Sequence, residues 1–374
     1  MQQVHKLMLD VVRKALKGNL TPQPLSAEDS AQLMQFARAH SLSYIAANAL
    51  GTEYTKDRML ALTVAEHQKH ACALFCDALE SAGIDHIVLK GPSVRKYYPD
   101  PYMRASCDVD ILVRECDLEK AEAVLDPVMP FKSKNKRFHD IKYIYSPALA
   151  LELHFSISEN DEKSDPTLMQ VWDYTKPFEN TRHRFEMTNE FLMFYLSAHM
   201  AYHFLGGGCG IRSFMDIYVL NSNMDYDIAV TKSLCEKCGL LDFFNAVCAT
   251  AEVWFGSGEH TQITLDIEKY ILPGGTYGSF ENKMSVNSTV HKNKFKYVLF
   301  GFFPPLKSMQ YAYPRLEKLP FLLPVYWVFR AFRLAFSQKG KRGLKEMNAV
   351  ARIDKGKQDE TVLLLKSLGL KNEQ

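Results

Sequence analysis

The run Cys107 to Val113, CDVDILV, constrains the fold more than any other segment of the chain. Val109, Ile111 and Val113 alternate with Asp108, Asp110 and Leu112, which is the period of a strand with one polar end. Residues i and i+2 of a strand share a face, so the two carboxylates stand side by side. Like charges about 4 to 6 Å apart repel by roughly 1 kcal/mol in water and by several at a partly buried site. A cation is the usual compensation, and hard oxygen donors at this spacing suit Mg²⁺ or Mn²⁺. A solvated strand end needs no such cation, so the surroundings decide what the motif means.

Those surroundings read as strand, helix, strand, helix, strands. His86 to Leu89 is short and β-branched, Lys90-Gly91-Pro92 breaks it, and Ser93 to Tyr98 reads as a helix closed by Pro99 and Pro101. Glu115 to Leu125 follows as a helix, and Lys142 to Tyr145 pairs with Ala148 to Ser156 as a hairpin turning at Ser146-Pro147. Residues 1–80 read as helices throughout, beginning with Val4, Leu7, Met8, Val11, Val12 and Leu16 on one face and with a helix start at Ser26 and Asp29. Beyond about residue 165 the helical period returns, clearest in Glu190 to Tyr202 and Ser213 to Leu220. The expected architecture is α+β: a small mixed-sheet core over residues 81–160, an N-terminal helical region over 1–80 and a C-terminal helical region over 161–374.

Three further features bear on the aspartates. Lys90-Gly91-Pro92-Ser93 is a strand-to-helix turn whose glycine lets backbone amides approach a ligand and whose helix N-terminus favours phosphate. In Leu151-Glu152-Leu153-His154, Glu152 and His154 share the face opposite the leucines, so a second strand delivers a third carboxylate. Arg104 precedes the aspartates by four residues, a guanidinium near enough to neutralise a triphosphate.

The run LKGPSVRKYYPDPYMRASCDVDILV, followed by the acidic residue of LELHF, resembles the bacterial uncharacterised nucleotidyltransferase family of the polymerase beta superfamily. The resemblance covers Ala71 to Ile157, with weaker echoes in SAHMAYH, IRSFMDIYVL and PRLEKLPFLLPVYW. It implies a nucleotidyltransferase core in which Gly91 and Ser93 contact nucleotide phosphates, Asp108 and Asp110 bind two metals, and Glu152 completes the catalytic one. The usual turn of that superfamily is Gly-Gly or Gly-Ser, and here Lys90 and Pro92 depart from it; Lys90 either adds charge or caps the helix. The implied reaction is metal-dependent transfer of a nucleoside monophosphate from an NTP to a hydroxyl of a small molecule or a protein, with Glu152 also able to take the acceptor's proton. The rival readings are a nucleotide-binding module without turnover and a peripheral membrane protein.

A formal net charge of +2 argues against long nucleic acids as partners. Eight scattered cysteines fit reduced core thiols, and no run reaches the roughly eighteen apolar residues of a membrane span, so the expected location is cytoplasmic. His199 and His203 stand at i, i+4, a spacing able to hold zinc, but HMAYH offers no third ligand; with His154 they are read as lining an acceptor cleft. Arg212 and Asp216 are expected to form an i, i+4 ion pair. Pro273 to Ser279 and Asn282 to Lys296 read as a mobile connector. FLLPVYWVFRAFRLAF beside the basic run Lys339 to Lys345 suggests contact with a membrane surface, against the plainer reading of a buried helix pair.

Overall fold

The computed structural model describes residues 3–22, 24–106, 108–159, 165–290, 303–313, 315–335 and 355–370. It is a mixed α+β fold with one seven-stranded sheet and helices before and after it. Four helices come first: α1 (Gln3–Leu16), α2 (Ala27–Ala39), α3 (Ser43–Leu50) and the long α4 (Thr55–Ser81). Ser26 caps α2 by accepting from the amide of Asp29, so this helix begins where the Ser-Asp pattern expects.

The sheet is built from β1 (His86–Val88), β2 (Asp108–Val113), β3 (Ser133–Lys136), β4 (Asp140–Ser146), β5 (Leu149–His154), β6 (Thr175–Pro177) and β7 (Arg184–Met187), in the spatial order β3-β4-β5-β2-β1-β7-β6. Between them lie α5 (Gly91–Arg95), α6 (Leu118–Leu125) and the single turn α7 (Pro166–Met169). At the centre β2 runs parallel to β5 and antiparallel to β1, while β4 and β5 form the expected hairpin.

Two strands come from a stretch whose pattern reads as helical. β7 lies parallel to β1 and β6 antiparallel to β7, extending the sheet with residues 175–187. They span only three and four residues and are mostly half-buried, too short for alternation to show.

The sheet separates two cores. On one face Val109, Ile111, Val113, Leu151 and Leu153 pack with Ala71, Phe75 and Leu79 of α4 and Ala121 and Leu125 of α6. On the other, Ile87, Leu89 and Leu112 join a core shared with α8 (Asn189–Leu205), α9 (Ile211–Asn223), α10 (Ile228–Lys237) and α11 (Leu241–Phe255). The polar residues of β2 and β5 therefore face α8 and not α4.

α12 (Gln262–Ile271) and α13 (Phe280–Val290) follow. The glycine-rich connector between them is anchored: the Thr276 amide donates to the Ala39 carbonyl at 2.9 Å, and a Cβ on Gly275 would sit 2.8 Å from that same oxygen. The Asn282 to Lys296 run begins inside α13, and its end lies outside the described residues. In the helix Leu323–Ala335 and the turn before it, Phe321, Val325, Val328, Phe329 and Phe332 form an exposed apolar stripe, so the buried-pair reading does not hold for this face. Lys339 to Lys345 lies outside the described residues. No described helix is long and apolar enough to cross a membrane.

Candidate active site

Register places the acidic residues. Asp110 on β2 stands directly beside Glu152 on β5, and His154 lies two positions further on beside Leu112. His154 Nε2 is 3.0 Å from Asp110 Oδ1 and 3.8 Å from Glu152 Oε2, and each of the three offers a ligand atom within 4.8 Å of the others. Asp108 shares this face of β2 but stands opposite Ala150, outside that group, and accepts a 2.9 Å hydrogen bond from the Ser106 hydroxyl. His154 and Asp110 are each only 3% exposed, so His154 orients a carboxylate and does not line an open wall.

Positive charge surrounds these acids. Lys142, opposite Glu152 in the β4–β5 register, lies 2.5 Å from Glu152 Oε1, and Arg137 lies 3.1 Å from the same oxygen. Lys90 Nζ is 3.4 Å from Asp110 Oδ1. Burial alone would raise the Asp110 carboxyl; the ammonium of Lys90 and the hydrogen bond from His154 outweigh it and hold it well below the usual carboxylate range. Burial and the charge of Asp110 likewise push Glu152 up, and Lys142 brings it below its ordinary value.

Lys90 reaches Asp110 because the backbone turns sharply at the end of β1. Its φ of 48° and ψ of −106° lie where L side chains are strained, a cost of about 1–3 kcal/mol that the fold must impose. Gly91 follows, and a Cβ there would come within 3.2 Å of Arg104 Nη1. The Ser93 hydroxyl donates to the Val88 carbonyl at 2.6 Å, which ties the turn to β1.

Arg104 borders the turn and is held by Asp216 of α9. Its Nε and Nη2 each lie 2.8 Å from an Asp216 oxygen, and Tyr98 donates to the same carboxylate at 2.6 Å, all of it buried. Asp216 therefore does not pair with Arg212, whose Nη1 instead donates to the Ala105 carbonyl at 2.6 Å. An i, i+4 rule sees only neighbours on one helix, and the partner that Asp216 takes is 112 positions away.

A second polar group lies on α8. His199 Nδ1 is hydrogen-bonded to Glu159, and His199 Nε2 lies 3.1 Å from His203 Nε2. Glu159 is also 4.0 Å from Lys90, which thus stands between the two groups. Burial, then the nearby Lys90 charge, lowers the pKa of His199, and burial with His199 beside it lowers His203 to about 4. Burial would raise Glu159, but His199 and Lys90 hold it far below the usual range. Glu159 sits in an irregular segment after β5 with no period or spacing to mark it, so the sequence gives no signal for it. Lys142 has one: the hairpin register places it opposite Glu152.

Comparison with known proteins identifies a family. A family model described as an uncharacterised nucleotidyltransferase covers residues 26–256, more than half of the chain and every residue of this site. No curated protein and no solved structure matches.

Proposed function

The chain belongs to this uncharacterised nucleotidyltransferase family, and from that premise we propose that it moves a nucleoside monophosphate from an NTP to a hydroxyl acceptor. The observation that carries the reading is the parallel register that sets Asp110 beside Glu152, with Asp108 on the same face of β2. Carboxylate oxygens in this arrangement, already partly complemented by Lys90, Lys142 and Arg137, fit a hard divalent cation, Mg²⁺ or Mn²⁺, held by Asp108, Asp110 and Glu152. When bound, that cation would neutralise charge on the phosphates and lower the pKa of the acceptor hydroxyl.

The remaining roles fall to the chain itself. The acceptor oxygen forms a bond to the α-phosphorus, the bond to pyrophosphate breaks, and the acceptor proton passes to a carboxylate. Glu152, with its side chain 12% exposed against 4% for Asp110, is proposed to take that proton. Lys90 and the amides at Gly91 and Ser93 are proposed to receive the phosphates, since the turn brings them to the edge of the carboxylate face. Arg104, bound to Asp216, is proposed to brace that turn. His199 and His203 are proposed to face the acceptor, with His154 orienting Asp110.

The test is incubation of the protein with each NTP, Mg²⁺ and a cell extract, followed by mass spectrometry for nucleotidylated products and by pyrophosphate release. Asp110→Asn and Glu152→Gln should each lower product formation by about 10²-fold or more. Binding of NTP and metal without any pyrophosphate would favour a nucleotide-binding module, and no binding at all would overturn both readings.

A further inference from the structure

His199 and His203 lie one turn apart on α8, with their Nε2 atoms 3.1 Å from each other. Two ligands of one tetrahedral ion, bound at about 2.0–2.1 Å, stand about 3.4 Å apart, so the pair is already close to ligand spacing. The Glu159 carboxylate accepts from His199 Nδ1, which leaves the lone pair of His199 on Nε2, the nitrogen that faces His203. A histidine that ligates metal through one nitrogen generally donates from the other to a carboxylate, and Glu159 supplies this partner. Ligand atoms of Glu159, His199 and His203 all lie within 4.8 Å of one another.

This group differs in chemistry from the centre on β2 and β5. There the donors are mainly carboxylate oxygens, which suit Mg²⁺ or Mn²⁺; here two imidazoles converge, and imidazole suits zinc and the later first-row metals. Lys90 lies between the groups, 3.4 Å from Asp110 and 4.0 Å from Glu159, so they share a neighbouring charge but no ligand. The imidazole side also reaches the surface: the His203 ring lies 6.5 Å from that of Tyr277, which is 67% exposed. An ion there would have positions left for water or a substrate oxygen.

We propose that His199 and His203, oriented by Glu159, bind one zinc-class divalent ion separate from the carboxylate pair. The site stands independently of nucleotidyl transfer, because it needs neither nucleotide nor turnover.

The experiment titrates Zn²⁺ into the full chain, stripped by chelator and free of nucleotide, against a chromophoric competitor. Wild type should take up one tight equivalent that survives in the double variant Asp110→Asn with Glu152→Gln. The double variant His199→Gln with His203→Gln should lose it, from one equivalent to none. Glu159→Gln should keep it with about 10–100-fold weaker affinity. Circular dichroism checks that each variant folds. Should the histidine double variant fail to fold, Co²⁺ added to wild type supplies the second measurement: visible absorption of a nitrogen-ligated site supports the proposal, and its absence overturns it. The proposal also fails if wild type binds no stoichiometric Zn²⁺. It fails equally if the equivalent disappears with Asp110 and Glu152 but remains without the histidines, which would assign it to the group containing His154.

Discussion

The two faces of β2 and β5 are made from alternate residues of the same strands, yet they do opposite work. Toward α4 and α6, Val109, Ile111, Val113, Leu151 and Leu153 are at most 1% exposed and pack in an apolar core. Toward α8, Asp110 and His154 are almost as enclosed and Glu152 is partly so, and these groups meet Lys90, Lys142 and Arg137. Burial on the first face stabilises the fold without further conditions. On the second it is tolerable only because each charge has a partner. Chain reversal at Lys90 and the register of β5 supply those partners, so the charged face depends on long-range geometry that the apolar face does not need.

The largest expected effect lies in the buried ion pair beside the turn at Gly91. Asp216→Ala would leave the buried Arg104 guanidinium and the Tyr98 hydroxyl without their acceptor, and a broken buried pair costs about 3–5 kcal/mol. Urea unfolding should show that loss. A cost below about 1 kcal/mol would mean that Arg104 finds another partner and that the turn at Gly91 is braced otherwise.

On the apolar face, Leu153→Ala should cost about 2–5 kcal/mol through lost burial and the cavity left behind. The response of the melting temperature to Mg²⁺ and NTP should persist in this variant, because the carboxylates on the other face are untouched. Loss of that response along with stability would show that the two faces are not separable.

Asp110→Asn inverts the combination. Repulsion between Asp108 and Asp110, taken alone, predicts no loss of stability when a charge is removed. Lys90 changes the sign, since its largely buried ammonium loses its closest partner, and the metal-free variant should fall by about 1–3 kcal/mol. The stabilisation that wild type gains from Mg²⁺ with NTP should vanish. A metal-free variant as stable as wild type would mean that Lys90 contributes nothing in the absence of ligand.

Local period made one part of this site readable. Alternation alone puts Asp110 and Glu152 on polar faces of strands, and the Ser146-Pro147 turn announces the hairpin that sets Lys142 opposite Glu152. What period cannot give is partnership across the chain. Asp216 reads as an i, i+4 partner of Arg212 until Arg104 is seen against it. HMAYH lacks a third group until the segment after β5 brings Glu159 to His199. β6 and β7 leave no pattern because seven residues in all are too few to alternate, and only the pairing of β7 with β1 and of β6 with β7 makes them strands. The connector Pro273 to Ser279 has the composition of a flexible linker, yet Gly275 serves close approach to Ala39 and Gly278 to Gly207.

The smallest expected effect concerns α8 and separates an imidazole that the fold keeps neutral from one that simply meets solvent. In the metal-free protein, burial and the neighbouring His199 lower His203 to about 4, against about 6.5 in an unfolded chain. Between these values the unfolded state binds more protons than the folded one, so the His203 contribution to stability is complete above about pH 6.5 and is lost as the pH falls toward 4. His203→Gln removes the proton site while keeping a polar side chain. The stability difference between wild type and this variant should therefore change by on the order of 1 kcal/mol from pH 7 to pH 5, with wild type losing more. Urea titrations of both proteins in chelator at the two pH values measure it. A constant difference would mean that His203 meets acid in the folded protein as readily as in the unfolded chain. The imidazole pair would then be an open surface feature, unlike the enclosed charges on β2 and β5.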